Sequence, residues 1–180
     1  MTRVGSVYGQ GLYALAKEEQ LETEILQQLQ VLEDCFGKDP EYLKLLASGN
    51  VPKQERMAIL DSAFAEKLHP YVLNFLKLLT EKGYIRHFSD AYKAFLEQYR
   101  QDNGILAVQA VSAIALSETQ KEKLTQKLTA ITGKKIDLQC KVDSAVLGGV
   151  RLSFDGKQVD GTVQSRLQAI EKQLKNTVLG

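Results

Sequence analysis

The apolar periodicity of this chain changes at Asn103-Gly104. Before that point apolar residues recur every three or four positions, as on one face of a helix. Beyond it they alternate or run on continuously, as in strands. A chain patterned this way is expected to be α+β: an N-terminal six-helix bundle over residues 1–104, then a small β-α-β-β-α domain with a mixed sheet over 105–180. With 180 residues, 44% of them hydrophobic, there is apolar surface enough for a core.

Punctuation separates the helices. Val4, Tyr8, Leu12 and Leu15 line a first helix ending near Glu18, and Leu21, Ile25, Leu29, Leu32 and Phe36 a second, stopped by Gly37. Asp39-Pro40 opens a brief third, with Asp as cap and Pro in the first turn. Pro52 starts a fourth, with Met57, Leu60, Phe64 and Leu68 inward. Pro70 starts a fifth, closed by Gly83, and Ile85, Phe88, Tyr92, Phe95 and Tyr99 mark a sixth. Short connections make neighbouring helices roughly antiparallel.

In the second half, Ile105–Leu116 is almost wholly apolar, the pattern of a strand covered on both faces. Ser117-Glu118-Thr119-Gln120 is a capping box opening a helix with Leu124, Leu128 and Ile131 inward. Ile136, Leu138, Cys140 and Val142 alternate with polar residues, and so do Val150, Leu152 and Phe154. The first two strands are candidates for a parallel crossover, the later two for a hairpin. Asp155-Gly156 supplies a turn. Asp160 stands where a helix N-cap belongs, ahead of a stripe of Val163, Leu167, Ile170, Leu174 and Val178.

The chemistry of the chain is sparse. Net charge is +1 overall, −3 over residues 1–104 and +4 over 105–180, which gives no electrostatic case for nucleic acid or an anionic membrane. The longest apolar stretch is twelve residues, Ile105 to Leu116, where a membrane span needs about 20. The chain is expected to be soluble and cytoplasmic, without direct membrane insertion, attached to any membrane complex through protein. Cys35 and Cys140, each among apolar neighbours, are expected to be buried structural thiols. His69 and His87 have no metal-ligand spacing around them, and no phosphate or dinucleotide fingerprint exists. No catalytic residue, metal site or cofactor is expected.

One feature points to binding. The fifth helix is apolar most of the way round, at Val72, Leu73, Phe75, Leu76, Leu78 and Leu79, where a surface helix needs only one stripe. Either this helix is central, or part of it lines a groove for an external amphipathic helix. Gly9 and Gly11 on the first helix would then allow close approach of that partner.

Leu147-Gly148-Gly149-Val150-Arg151, eight intervening residues, then Asp160-Gly161-Thr162-Val163-x-x-Arg166-Leu167 resemble the C-terminal signature of the delta subunit of F-type ATP synthases. The mitochondrial relative is the oligomycin-sensitivity-conferring protein. Thr162 stands where Ser is usual. Tyr8-Gly9-Gln10-Gly11-Leu12 is similar to a Tyr-Ala-x-Ala-Leu pattern of the family's first helix, with glycines for alanines. Phe75-Leu76-x-Leu78-Leu79 resembles its fifth.

The resemblance implies a structural, non-catalytic stator subunit on the cytoplasmic face of an energy-transducing membrane, supporting proton-coupled ATP synthesis. Residues 1–104 would grip the N-terminal segment of an alpha subunit through Tyr8, Gly11, Leu12, Leu15, Phe75, Leu76 and Leu79. Residues 105–180 would engage the b-subunit stalk. Leu147 to Arg151 and Asp160 to Leu167 would shape that domain, with Arg151 and Arg166 as candidate stalk contacts. The alternative from another class is a small regulatory module binding a metabolite, which requires a pocket with convergent polar groups.

Overall fold

The computed structural model describes residues 1–146, 149–154 and 157–161. The chain divides into two compact units, the first ending at Tyr99 and the second beginning at Arg100.

The first unit is helical: α1 (Arg3–Glu18), α2 (Glu22–Lys38), α3 (Pro40–Leu46), α4 (Lys53–Phe64), α5 (Pro70–Glu81), and a 3-10 turn (Ile85–His87) running into α6 (Phe88–Asp102). Local chemistry fixes the ends. The Thr2 hydroxyl caps α1 by accepting from Gly5 N at 3.3 Å. Pro40 and Pro70 sit in the first turns of α3 and α5, where a missing N–H leaves nothing unpaired. His69 caps α5, its ring accepting from Tyr71 N at 3.3 Å. After α6 the backbone needs a left-handed residue, and Gly104 supplies it at φ 60°.

Ile25, Leu29, Leu32, Leu46, Leu60, Leu76, Leu79, Ile85, Phe88 and Phe95 are all under 2% exposed and form the core. Phe36 meets Phe88 edge-on with centroids 5.0 Å apart, and Tyr13 meets Phe95 likewise at 5.2 Å. Most of the apolar surface of α5 is buried here, so the helix is central; Leu78, at 41% exposure, is the exception. Gly5 and Gly9 bring α1 onto α6: a Cβ on Gly9 would sit 2.9 Å from Ala94 Cβ and overlap the Ala91 carbonyl. Gly9 thus serves packing within the bundle, not the approach of a partner. Cys35, expected to be buried, is exposed on the outer face of α2, and Cys140 is half-buried.

The second unit contains β1 (Ile105–Ser112), α7 (Glu118–Thr132), β2 (Lys135–Val142), β3 (Val150–Phe154) and β4 (Lys157–Asp160), in the sheet order β2-β1-β3-β4. The chain is α+β, as its patterning indicates. The capping box forms as expected: Ser117 Oγ accepts from Gln120 N at 3.3 Å, and Gln120 Oε1 from Ser117 N at 2.9 Å. β1 and β2 are parallel, from Ile105 opposite Lys135 to Ser112 opposite Val142.

Here three details differ from the patterning. β2 and β3 form no hairpin; β3 runs antiparallel to β1, Ala110 opposite Leu152, and the hairpin is β3 with β4. The reason lies after Val142, where the chain does not reverse onto β2. Asp143 N donates to Ser112 O at 2.9 Å, Asp143 Oδ1 accepts from Ala145 N at 2.9 Å, and Val146 is buried. β1 is central yet covered on one face: Leu106, Val108, Ala110 and Ser112 are buried while the residues between them are half-buried. Leu128 and Leu124 of α7 pack on that face with Ile136, Leu138, Leu152 and Phe154. Ile131, expected inward, is 80% exposed.

Asp160 closes β4 opposite Arg151, and the ladder continues past it, with Gly161 N donating to Val150 O at 3.2 Å. It therefore ends a strand. The helix expected after it lies outside the described residues.

Candidate protein-docking groove

The fold leaves an open trough of about 390 Å3 between α1 and α5. Helical spacing builds both walls. From α1 come Val7, Gly11 and Leu15, four residues apart on one stripe, with Tyr8 and Leu12 beside them. From α5 come Tyr71, Asn74, Phe75 and Leu78, three, four and seven residues along one face. The opposite face of α1 carries Gly5, Gly9, Tyr13 and Ala16 into the core, which turns the trough outward.

Val7 is 60% exposed, Leu15 37% and Leu78 41%, so the trough holds a run of large apolar side chains in contact with water. Nothing lies within 4 Å of where a Cβ on Gly11 would be. The floor there is bare backbone, open to close approach. Tyr8 is held edge-on against Tyr84, centroids 5.9 Å apart, and Tyr71 lies tilted against His69 at 4.9 Å.

Of the seven residues expected in this site, Tyr8, Gly11, Leu12, Leu15 and Phe75 come together in the trough. Leu76 and Leu79 do not; both are fully buried on the inner side of α5 and cannot touch anything outside. Val7, Tyr71 and Asn74 were missed, and Leu78 was named only as part of the apolar surface of the fifth helix. The signal for them was present as i, i+4 and i, i+3, i+7 spacing from residues already singled out.

Of the C-terminal signature, Gly149 has φ 77°, a conformation that requires glycine at the start of β3. Arg151 is half-buried in β3 opposite Val111 and Asp160. A Cβ on Gly161 would lie 3.2 Å from Val150 O. Leu147, Gly148, Thr162, Arg166 and Leu167 lie outside the described residues. A second, smaller depression of about 260 Å3 runs between α7 and β3, lined by Leu116, Gln120, Lys123, Leu124, Lys127 and Val150.

The polar lining of the trough is two tyrosines and one amide. Ionisable groups with perturbed affinities lie elsewhere and answer to structural partners. Hydrogen bonds from Thr2 lower Asp90, and the Lys53 ammonium, 2.7 Å from Glu81, lowers that carboxyl. Glu118 raises Lys121, and burial raises Tyr42. Among the described residues no group of three His, Cys, Asp or Glu could hold a metal ion, and no helix is long and apolar enough to cross a membrane.

A family model for the ATP synthase delta (OSCP) subunit matches residues 4–174. The chain belongs to that family. Among relatives of this delta-family chain, ATP synthase subunit delta of Lactobacillus gasseri is 32% identical over 172 residues, covering 95% of this chain and 94% of its own. That of Clostridioides difficile is 29% identical over 176 residues, 97% of each. A sodium-ion-specific subunit delta from Ilyobacter tartaricus is 28% identical over 170 residues, 94% of this chain and 97% of its own. In fold, the delta-family chain is similar to a chain of the Toxoplasma gondii mitochondrial ATP synthase hexamer, with TM-score 0.77 and 18% identity over 96% of this chain and 98% of that one. Family membership ties it to ATP synthesis by the F-type complex as a delta subunit.

Proposed function

We propose that this chain is a non-catalytic stator that joins the catalytic head of an F-type ATP synthase to its peripheral stalk. The trough between α1 and α5 carries the reading. It is long, apolar and walled by two helices, which suits the apolar face of a third helix. Its occupant is the N-terminal segment of an alpha subunit. Covering Val7, Leu15 and Leu78 removes apolar surface from water at roughly 25 cal/mol per Å2, and Gly11 lets the entering backbone come close.

Residues 1–104 form the head-binding domain and residues 105–180 the domain that meets the b-subunit stalk. The depression between α7 and β3, apolar with Lys123 and Lys127 at its edge, is the surface we assign to the stalk. Two modest contacts on one chain hold more firmly than either alone, because the second binds at raised effective concentration. The chain resists rotation of the head while the rotor turns, supports proton-coupled ATP synthesis, and is peripheral to the membrane through the complex. A metabolite-binding module would need polar groups converging on a pocket, and an open apolar trough is the opposite arrangement.

The test is a titration of the full chain with a synthetic peptide of the alpha-subunit N-terminal segment. Binding at micromolar concentration or tighter, abolished by Gly11→Asp with the circular dichroism unchanged, supports the reading. Undetectable peptide binding contradicts it, as does tight binding of a nucleotide in the same trough.

A further inference from the structure

Resting on that reading of the trough, we infer that Asn74 selects the alignment of the helix that docks there. Asn74 lies in the middle of the α5 stripe, between Tyr71 and Leu78 and beside Phe75, in a trough otherwise walled by apolar and aromatic groups. In the free protein it is exposed, so water satisfies its amide. A docked helix expels that water. The amide carries two donors and an acceptor on a short stem, and it cannot reach past an apolar cover as a lysine does. Left unpaired beneath the occupant, it weakens binding by about tenfold or more.

Only one alignment avoids this penalty. Sliding a helix by one residue rotates its side chains by about 100°, so a given polar group meets Asn74 in a single register. The apolar walls hold an amphipathic helix in general, and Asn74 discriminates among helices and among positions of the same helix. The group opposite it is an uncharged hydrogen-bonding side chain (Asn, Gln, Ser or Thr), because a charge would be stripped of water beside Val7, Leu15 and Leu78. The inward face of the occupant is therefore bulky and apolar with one polar interruption.

The experiment is a set of fluorescence-anisotropy titrations of the full chain and its Asn74→Leu variant. The probe is the alpha-subunit N-terminal peptide and copies in which each uncharged polar residue is changed singly to Leu. Leu is a better helix former than Asn, so the variant keeps its fold, checked by thermal melting. The expected result has three parts: Asn74→Leu loses about tenfold for the native peptide, one peptide substitution loses about tenfold for the wild type, and the two changes together restore the lost affinity. Wild-type binding that Asn74→Leu leaves unchanged, with no peptide position coupled to residue 74, overturns the inference and leaves the docking reading standing. Failure of the wild type to bind the native peptide overturns both.

Discussion

Gly9 of α1 lies against the backbone of Ala91 in α6, so that a Cβ at position 9 would come within 2.9 Å of the Ala91 carbonyl carbon and overlap its oxygen. Two residues on, Gly11 faces open solvent in the trough. One glycine is there for the fold and the other leaves bare backbone open in the trough. Stability separates them. Gly9→Ala should destabilise the first unit by about 1–3 kcal/mol, since a backbone oxygen cannot step aside as a side chain would. Gly11→Ala should stabilise it by about 0.8–1 kcal/mol through helix propensity. Urea denaturation of both variants checks the signs.

The two faces of α5 make a similar pair. Leu76→Ala empties a fully buried site and should cost about 2–5 kcal/mol while the folded fraction still binds the alpha-subunit peptide. Leu78→Asp, on the exposed face, should cost less, about 1–2 kcal/mol from helix propensity and the helix dipole, and abolish peptide binding. Denaturation midpoints and anisotropy titrations on the same preparations give both readouts.

These contrasts mark what the sequence disclosed and what it withheld. Helix limits were legible because Pro40, Pro70, Gly83 and Gly104 act locally, and the capping box at Ser117 is a four-residue signal. The side of α5 that faces out was not legible, because Leu76 and Leu78 are equally apolar and only packing against the other helices tells them apart. Strand pairing was withheld for a related reason: alternation reports which face of β3 is buried, and it is silent on whether the neighbour is β1 or β2. The turn at Asp143 and the buried Val146 decide that. Cys35 was misjudged because apolar sequence neighbours do not make a position inward, and Ile131 because its spacing from Leu124 and Leu128 does not fix how far the buried stripe extends; each lies on the solvent side of its helix. In the trough, family resemblance pointed to α1 and α5, and the faces themselves added Val7, Tyr71 and Asn74.

Acid should loosen the N-terminal end of α1. Asp90 accepts from Thr2 N at 2.8 Å and lies 3.8 Å from the terminal amine. Hydrogen bonds from the Thr2 hydroxyl, then from its N–H, hold the carboxyl below its ordinary value. A depressed carboxylate stabilises the fold above its unfolded pKa of about 3.9, and that contribution is lost as pH falls through the lower folded value. Asp90→Asn should therefore flatten the dependence of stability on pH below about pH 4, measured by urea midpoints across that range.

Residues 1–104 should fold alone. The cut falls after Asp102, where α6 ends, and keeps the whole aromatic core of Tyr13, Phe36, Phe88 and Phe95 within the fragment. A helical circular-dichroism spectrum with one cooperative thermal transition is the expected outcome, and an unfolded fragment would contradict the division into domains.

The central claim is that the chain works by being held at both ends. Its most direct test is coupling in an F-type complex assembled with and without it. Adding the chain to a depleted complex should restore attachment of the catalytic head and ion-driven ATP synthesis, and a Gly11→Asp chain should restore neither. A complex that stays assembled and fully coupled in its absence would contradict the claim.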